Sequence, residues 1–595
     1  MVGITCGVWN AGSAGTVRFS SDRKTMDGRM STVDLRLFEP DELNLPSKFA
    51  CFREIQAQAV EWTQSVFQGG KRFAGVCLPT GAGKTLYAMA LARVLGVPTV
   101  ILTSTKGLQE QYQDDFGQVG LVDIRGKENY SCVGKPPARC KYGPHEGCLL
   151  AGDLGCTYES ARWDAKQAKT LITNYSYWVR ANVFGPGGLR ATEGLPGAQE
   201  VSDPWGLLIC DEGHHAMEAL AGALRVQVTE RQLRAIGLGD YWKEKASGDT
   251  SDEIMPWREL AEAVAIRAQS ELKSSVELLR VSAKSGVAQG KLIMLRERVR
   301  DLDTLTQSLD SIVGMQDKDW VVEQRQGTTV GRVWTFDCVW PGMWAEKLWC
   351  QIPNVVVMSA TLKPMSMNLL GIKKEEREYK EWDRIFPAVR TPIVHVNTVR
   401  LNKNTKEEGL LRWVARIDEI VESRAIKEKR KGLIHTVSYA RQQFYMENSR
   451  WRDSGIFDWN SSTDPESGTA RDVYERFLGV KGGEAGSVLV SPSFSTGWDF
   501  RDDECRWQVI GKIPFPDSRG KVMKARMERD DRYLNYVAMQ DLVQACGRGT
   551  RWEKDWCEVF VVDDSVKWFL WQNKNLAPDW FTVRSVNEVP EPIIF

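Results

Sequence analysis

The sequence has no excess of charge of either sign: 78 Lys and Arg stand against 78 Asp and Glu, for a net charge of zero. This excludes a protein that coats polyanions indiscriminately, and leaves local basic stripes to be read one at a time. No apolar run approaches the roughly 18 residues of a membrane span, and no apolar leader opens the chain. The expectation is a soluble, cytoplasmic protein with no membrane partner. Histidine is scarce, five in 595 residues, which leaves few ligands for a histidine-based metal site. Nine of the thirteen cysteines are scattered, several inside apolar runs such as those holding Cys77 and Cys210. With no sign of export they are expected to be reduced.

The length allows roughly three to four domains. From residue 49 short apolar runs alternate with amphipathic stretches: FAGVCL, PTVILTS, TLITN, WGLLIC and VVVMS. A second such series runs through GLIHTVS, GSVLVSPS, WQVIGK and EVFVVDD. Each suits a mostly parallel sheet covered by helices. The stretch from 216 to about 315 reads as helical. There Leu292, Leu295, Val299, Leu302, Leu305, Leu309 and Ile312 step by three and four and make one apolar stripe. A hairpin is expected over 320–336.

Three short segments carry chemistry. Gly81, Gly83, Lys84 and Thr85 complete a phosphate-binding loop read from Leu78, which stands at the usual first glycine. An apolar run precedes the turn and an amphipathic helix follows it, so backbone N–H groups and a helix N-terminus would meet a triphosphate. Lys84 would reach the β- and γ-phosphates of ATP, and Thr85 would sit on Mg²⁺. Asp211 and Glu212 end the run WGLLIC, where carboxylates suit a magnesium site at a sheet crevice. Asp211 would hold Mg²⁺, Glu212 would polarise the attacking water, and His214 would couple the site to the rest of the protein. Gln544, Gly547, Arg548 and Arg551 fit Q-x-x-G-R-x-x-R; on a helix 544, 548 and 551 share a face that could offer two guanidinium groups to a nucleotide across a cleft.

Cys132, Cys140, Cys148 and Cys156 are evenly spaced in a segment rich in Gly and Pro. Four thiolates so placed suit an iron–sulfur cluster or a structural zinc, and spacing alone leaves the two open.

These segments, in this order, resemble superfamily 2 helicases, and within them the XPD/DinG-like branch. The resemblance runs from about Phe52 to about Asp564. FREIQ (52–56) is similar to the Q motif, with Gln56 as adenine reader. TSTKGLQEQY (103–112) is similar to motif Ia, SATL (359–362) to motif III, TVSYARQQF (436–444) to motif IV, and STGWDF (495–500) to motif V, with Gly497 and Asp499 at the nucleotide. Two positions depart: Gly213 replaces the alanine of DEAH, and Thr496 replaces a glutamate. The resemblance implies a [4Fe–4S] cluster on the four cysteines, with zinc as the lesser alternative. It implies nucleic-acid contacts at Thr103, Ser104, Thr105, Lys106, Ser438 and Ser493, which position a strand without reading its sequence.

The expected architecture is α/β, with two recA-like parallel-sheet motor domains, an inserted iron–sulfur segment and a helical arch-like domain. In order these are a lead (1–48), the first motor domain (49–131, 157–215 and 339–385) interrupted by the cysteine segment (132–156) and the arch-like insertion (216–338), and the second motor domain (386–595). The expected function is an ATP-dependent DNA helicase that moves 5′→3′ on single-stranded DNA and acts on forked or tailed duplexes. The alternative is an ATP-switched single-strand clamp that does not unwind processively. Protein partners are not legible.

Overall fold

The computed structural model describes residues 32–133, 155–183, 204–247, 253–285, 287–316, 319–460, 467–494, 498, 500–550, 552 and 554–594. Strands β1 (Phe73–Cys77), β2 (Thr99–Thr103), β3 (Leu121–Asp123), β4 (Thr170–Asn174) and β5 (Leu207–Cys210) belong to a first sheet. β6 (Val226–Thr229), β7 (Trp320–Gln326) and β8 (Arg332–Cys338) form a separate small sheet. β9 (Asn354–Ser359) and β10 (Arg377–Glu381) return to the first, giving the order β10-β1-β9-β5-β2-β4-β3.

Every pairing in the first sheet is parallel. Its inner strands β1, β2 and β5 are buried along their whole length, as continuous apolar runs such as FAGVC and LLIC require when helices cover both faces. The consequence for the site is positional. β1, β9 and β5 are adjacent, so the residues that follow Cys77 and Cys210 converge with Ser359 at one end of the sheet.

The second sheet contains β11 (Ile393–Val396), β12 (Gly432–His435), β13 (Phe457–Asp458), β14 (Val488–Ser491), β15 (Trp507–Ile510), β16 (Glu558–Val561) and β17 (Arg584–Val586). It is also parallel throughout, in the order β13-β14-β12-β15-β16-β11-β17. The helix Tyr533–Cys546 packs on one face through Tyr536, Met539, Leu542 and Val543, and so carries Gln544 to the edge of this unit.

Between the sheets in sequence stand two long helices, Met255–Lys284 and Gln289–Val313, which pack on each other. The expected stripe is their seam: Val299, Leu305, Leu309 and Ile312 are fully buried. The expected hairpin is β7 and β8, closed by a hydrogen bond from Gly327 N to Gly331 O of 2.8 Å. One expectation fails here. The stretch from 216 to 315 is not helical throughout, because β6 lies within it and pairs antiparallel with β8. Val226 and Val228 point inward while Gln227 is exposed, the alternation of a half-buried strand.

Residues 32–48 also have structure. Leu35, Leu43 and Leu45 are buried with the helix Glu54–Gln68, and Gln64 exchanges two 2.9 Å hydrogen bonds with the Val33 backbone.

Candidate nucleotide site

The turn after β1 uses two left-handed residues, Gly81 (φ 82°) and Gly83 (φ 74°), conformations that cost a glycine little. Gly83 caps the helix Lys84–Leu95, so Lys84 and Thr85 begin its first turn, where free N–H groups face the loop. Gln56 is 2 % exposed and braces this turn from behind. Its Nε2 donates to Ala82 O at 2.9 Å and Gly83 O at 3.1 Å, while its Oε1 accepts from Arg53 N at 2.9 Å. The Arg53 guanidinium donates to Gly81 O. The residue expected to read adenine is thus engaged with the loop backbone itself.

Asp211 and Glu212 follow β5. Asp211 is buried and accepts from Tyr112 Oη at 3.0 Å and from Glu212 N at 2.9 Å. Burial, reinforced by the charge of Glu212, pushes its carboxyl up to about 7. Glu212 takes a left-handed backbone (φ 50°), which turns its carboxylate toward Lys84 Nζ, 3.9 Å away. Burial is the largest single influence and opposes its charge, but Lys84, the two histidines and Arg548 together outweigh it, and the carboxyl is held well below its ordinary value. Of the two, Glu212 is the carboxylate kept ionised.

A chain of hydrogen bonds leaves Glu212. Ser359 Oγ donates to Glu212 Oε2 at 3.1 Å. Its one proton being spent there, it accepts from His214 Nδ1 at 2.8 Å. That leaves His214 Nε2 as acceptor for Gln544 Nε2, also at 2.8 Å. The neutral ring this requires is what burial enforces, pushing His214 down to about 3. Gln544 belongs to the second sheet's unit, so the chain crosses between the two sheets. Beside it the units touch closely: a Cβ on Gly547 would lie 3.1 Å from Thr80 Oγ1. A small cavity at this contact is lined by Pro79, Thr80, Arg384, Phe386, Gly547 and Trp580. Arg548 donates to Trp498 O at 3.1 Å. Arg551, Gly497, Asp499 and Thr496 lie outside the described residues.

Sequence reasoning named SATL without a role for its serine, and missed Tyr112, Arg53 and Thr80. Tyr112 closes the segment read as motif Ia, and a tyrosine at the end of an amphipathic helix facing a carboxylate was the available signal.

Comparison with known proteins bears on this geometry. Residues 50–239 match the model of the type III restriction enzyme res subunit, and residues 421–582 match that of a helicase C-terminal domain. The two matches hold the two halves of the site. The chain carries helicase domains on an XPD-like fold. Among solved structures, an XPD helicase aligns over 90 % of this chain and 99 % of its own, at 17 % identity and a TM-score of 0.54. The Xpd4 protein of S. tokodaii aligns over 90 % and 100 %, at 14 % identity and a TM-score of 0.53. No curated protein matches the sequence. The helicase domains imply use of ATP and Mg²⁺.

The residues of this helicase expected to touch nucleic acid divide in two. Thr103 is fully buried and its hydroxyl donates to Thr105 O, so it orders the loop. Thr105 caps the helix Lys106–Phe116 by accepting from Leu108 N, and both Thr105 and Lys106 are exposed. Ser438 is exposed and caps the helix Tyr439–Asn448 in the same way; the residue before it, Val437, is held at φ 66°, a strained setting for a β-branched side chain. Ser493 Oγ lies 3.2 Å from Tyr439 Oη.

Of the four spaced cysteines, Cys140 and Cys148 lie outside the described residues. Cys132 and Cys156 flank the undescribed residues 134–154, each next to a residue of one contact. Thr157 Oγ1 donates to Ser131 O at 2.8 Å, and the rings of Tyr130 and Tyr158 are 5.4 Å apart. Among the described residues no group of three or more metal-ligating side chains occurs, and no helix is long and apolar enough to cross a membrane.

Proposed function

We propose that this helicase hydrolyses ATP between its two parallel-sheet units to move 5′→3′ along single-stranded DNA, opening forked or tailed duplexes. The observation that carries the reading is the hydrogen-bonded chain Gln544–His214–Ser359–Glu212. It ties the carboxylate that faces the phosphate lysine to a residue of the other unit, so closure of the cleft and the state of the nucleotide are felt together.

ATP phosphates would lie on the turn at Gly81 and Gly83, where Lys84 would leave Glu212 for the β- and γ-phosphates. Thr85 and Asp211 would hold Mg²⁺, which neutralises charge on the phosphates. Glu212, kept ionised, orients a water for in-line attack and can take its proton. Arg548, with Arg551, would meet the charge that develops on the transferred phosphoryl group. Gly497 and Asp499 would approach the nucleotide from the same side.

On DNA, the exposed Thr105, Lys106 and Ser438 and the half-buried Ser493 would grip phosphates without reading bases, Thr103 supporting the first two. Cys132, Cys140, Cys148 and Cys156 would hold a [4Fe–4S] cluster, with zinc the lesser alternative. The even spacing, and the hydrogen bond that draws Ser131 and Thr157 together, suit one ligand set closing on one centre. Residues 216–338, read as the arch, would part the duplex together with the cysteine segment.

Strand displacement tests the proposal, on duplexes with either a 5′ or a 3′ tail and with Lys84→Ala as control. Unwinding from the 5′ tail alone is expected. Unwinding from the 3′ tail would reverse the direction. Hydrolysis stimulated by DNA without unwinding would support the ATP-switched clamp instead.

A further inference from the structure

The second sheet presents the C-terminal ends of its parallel strands along one edge. Ser493 follows β14 and Ser438 follows β12 on that edge. Farther along it, in the order β12-β15-β16-β11, the helix Ser565–Asn573 starts after β16 and the loop holding Arg400 leaves β11. Three strand spacings separate β12 from β11, about 14 Å.

This far end carries an unusual surface. Trp571 is 80 % exposed and Trp568 is 44 % exposed. They are three residues apart on one helix and so share a face. The Arg400 guanidinium lies over the Trp568 ring, 5.7 Å from its centroid. Lys567 is exposed beside it, its ammonium 2.6 Å from Asn397 Oδ1. The neighbouring carboxylate, Asp564, is taken up by His395 at 2.9 Å and by Thr398 N. Two open indoles with a guanidinium and an ammonium are apolar planes in a cationic setting. Bases stack on such planes whatever their identity, while the cations meet the backbone.

We propose that Trp568 and Trp571, with Arg400 and Lys567, form a stacking platform for single-stranded DNA that extends the track begun at Ser438 and Ser493. This rests on the reading of the chain as a DNA-tracking helicase. The helix that carries the platform starts on the same edge as Ser438 and Ser493, so a strand held there would continue along the sheet toward it. Its role is to hold the strand outside the cleft between steps, which adds affinity without touching hydrolysis.

The test is binding of dT oligonucleotides to the full-length protein, one short enough to fill the cleft contacts and one long enough to pass beyond them. Trp571→Ala should bind the long oligonucleotide about ten-fold more weakly, the effect of losing one stacked base. It should bind the short one as wild type does, with unstimulated ATP hydrolysis intact. Trp571→Phe should restore most of the loss. Equal binding of the long oligonucleotide by wild type and Trp571→Ala overturns the platform alone. Wild-type protein that binds neither oligonucleotide overturns the platform together with the helicase reading beneath it.

Discussion

His214 Nε2 accepts a hydrogen bond from Gln544 Nε2 at 2.8 Å, joining the segment after β5 to a helix of the other sheet. Because the other ring nitrogen bonds Ser359, the histidine is fixed in both tautomer and orientation, and the link has a direction.

Gln544→Ala and Ser359→Ala should therefore act as one lesion. Each removes a bond that leaves a buried polar partner unpaired, at about 1–3 kcal/mol. Each is expected to lower nucleic-acid-stimulated hydrolysis about ten-fold while sparing the unstimulated rate more. The double variant should be little worse than either single one, a coupling read from a double-mutant cycle. Gln544→Glu should not rescue, since His214 Nε2 needs a donor. Strictly additive losses would dissolve the chain into independent contacts.

Lys84→Ala should lower kcat for ATP hydrolysis about a hundred-fold or more, as loss of a charge aimed at the transferring phosphoryl group does. The variant should melt within a few degrees of wild type, because Lys84 lies at the mouth of the loop. Hydrolysis at the wild-type rate would place the nucleotide elsewhere.

Protein purified without oxygen should contain iron and acid-labile sulfide, and Cys132→Ser should lose both. Stoichiometric zinc with no sulfide would replace the cluster by a structural metal on the same thiols.

Acid should destabilise the fold through buried histidine. His435 is buried, with one weak bond to Gln508 at 3.3 Å, and burial pushes it down to about 4. As pH falls, the unfolded chain takes the proton first, near pH 6.5. The stabilising contribution is therefore complete above that value and is lost between about pH 6.5 and 4, on the order of 2 kcal/mol by pH 5. Denaturant melts at pH 7.5 and 5 should show the loss, and His435→Gln should flatten it. An unchanged slope in that variant would assign the acid sensitivity to other groups.

Much of this was legible in the residues. Buried parallel strands announce themselves as apolar runs, and the phosphate loop, the carboxylates and Gln544 sit where those runs end. What escaped was polar or local. β10 (REYKE) is an edge strand with little apolar signal, and β6 is four residues among helices, so neither shows a period long enough to read. Gln56 and Thr103 match motif positions, yet their side chains turn to backbone carbonyls of the loops they support. A motif gives residue type and spacing. Which way a short polar side chain points is decided by the nearest unpaired backbone group.

The strand that carries the phosphate loop has a further consequence, for synthesis. β1 ends at Cys77, but its two neighbours in the sheet, β9 and β10, begin at Asn354 and Arg377. On the ribosome both edges of β1 stay open until the chain has grown past residue 359, and one of them until it has grown past 381. A nascent protein that stalls before then carries a naked apolar strand able to pair with other chains. The helicase cannot own a working nucleotide cradle until nearly two thirds of it has been made.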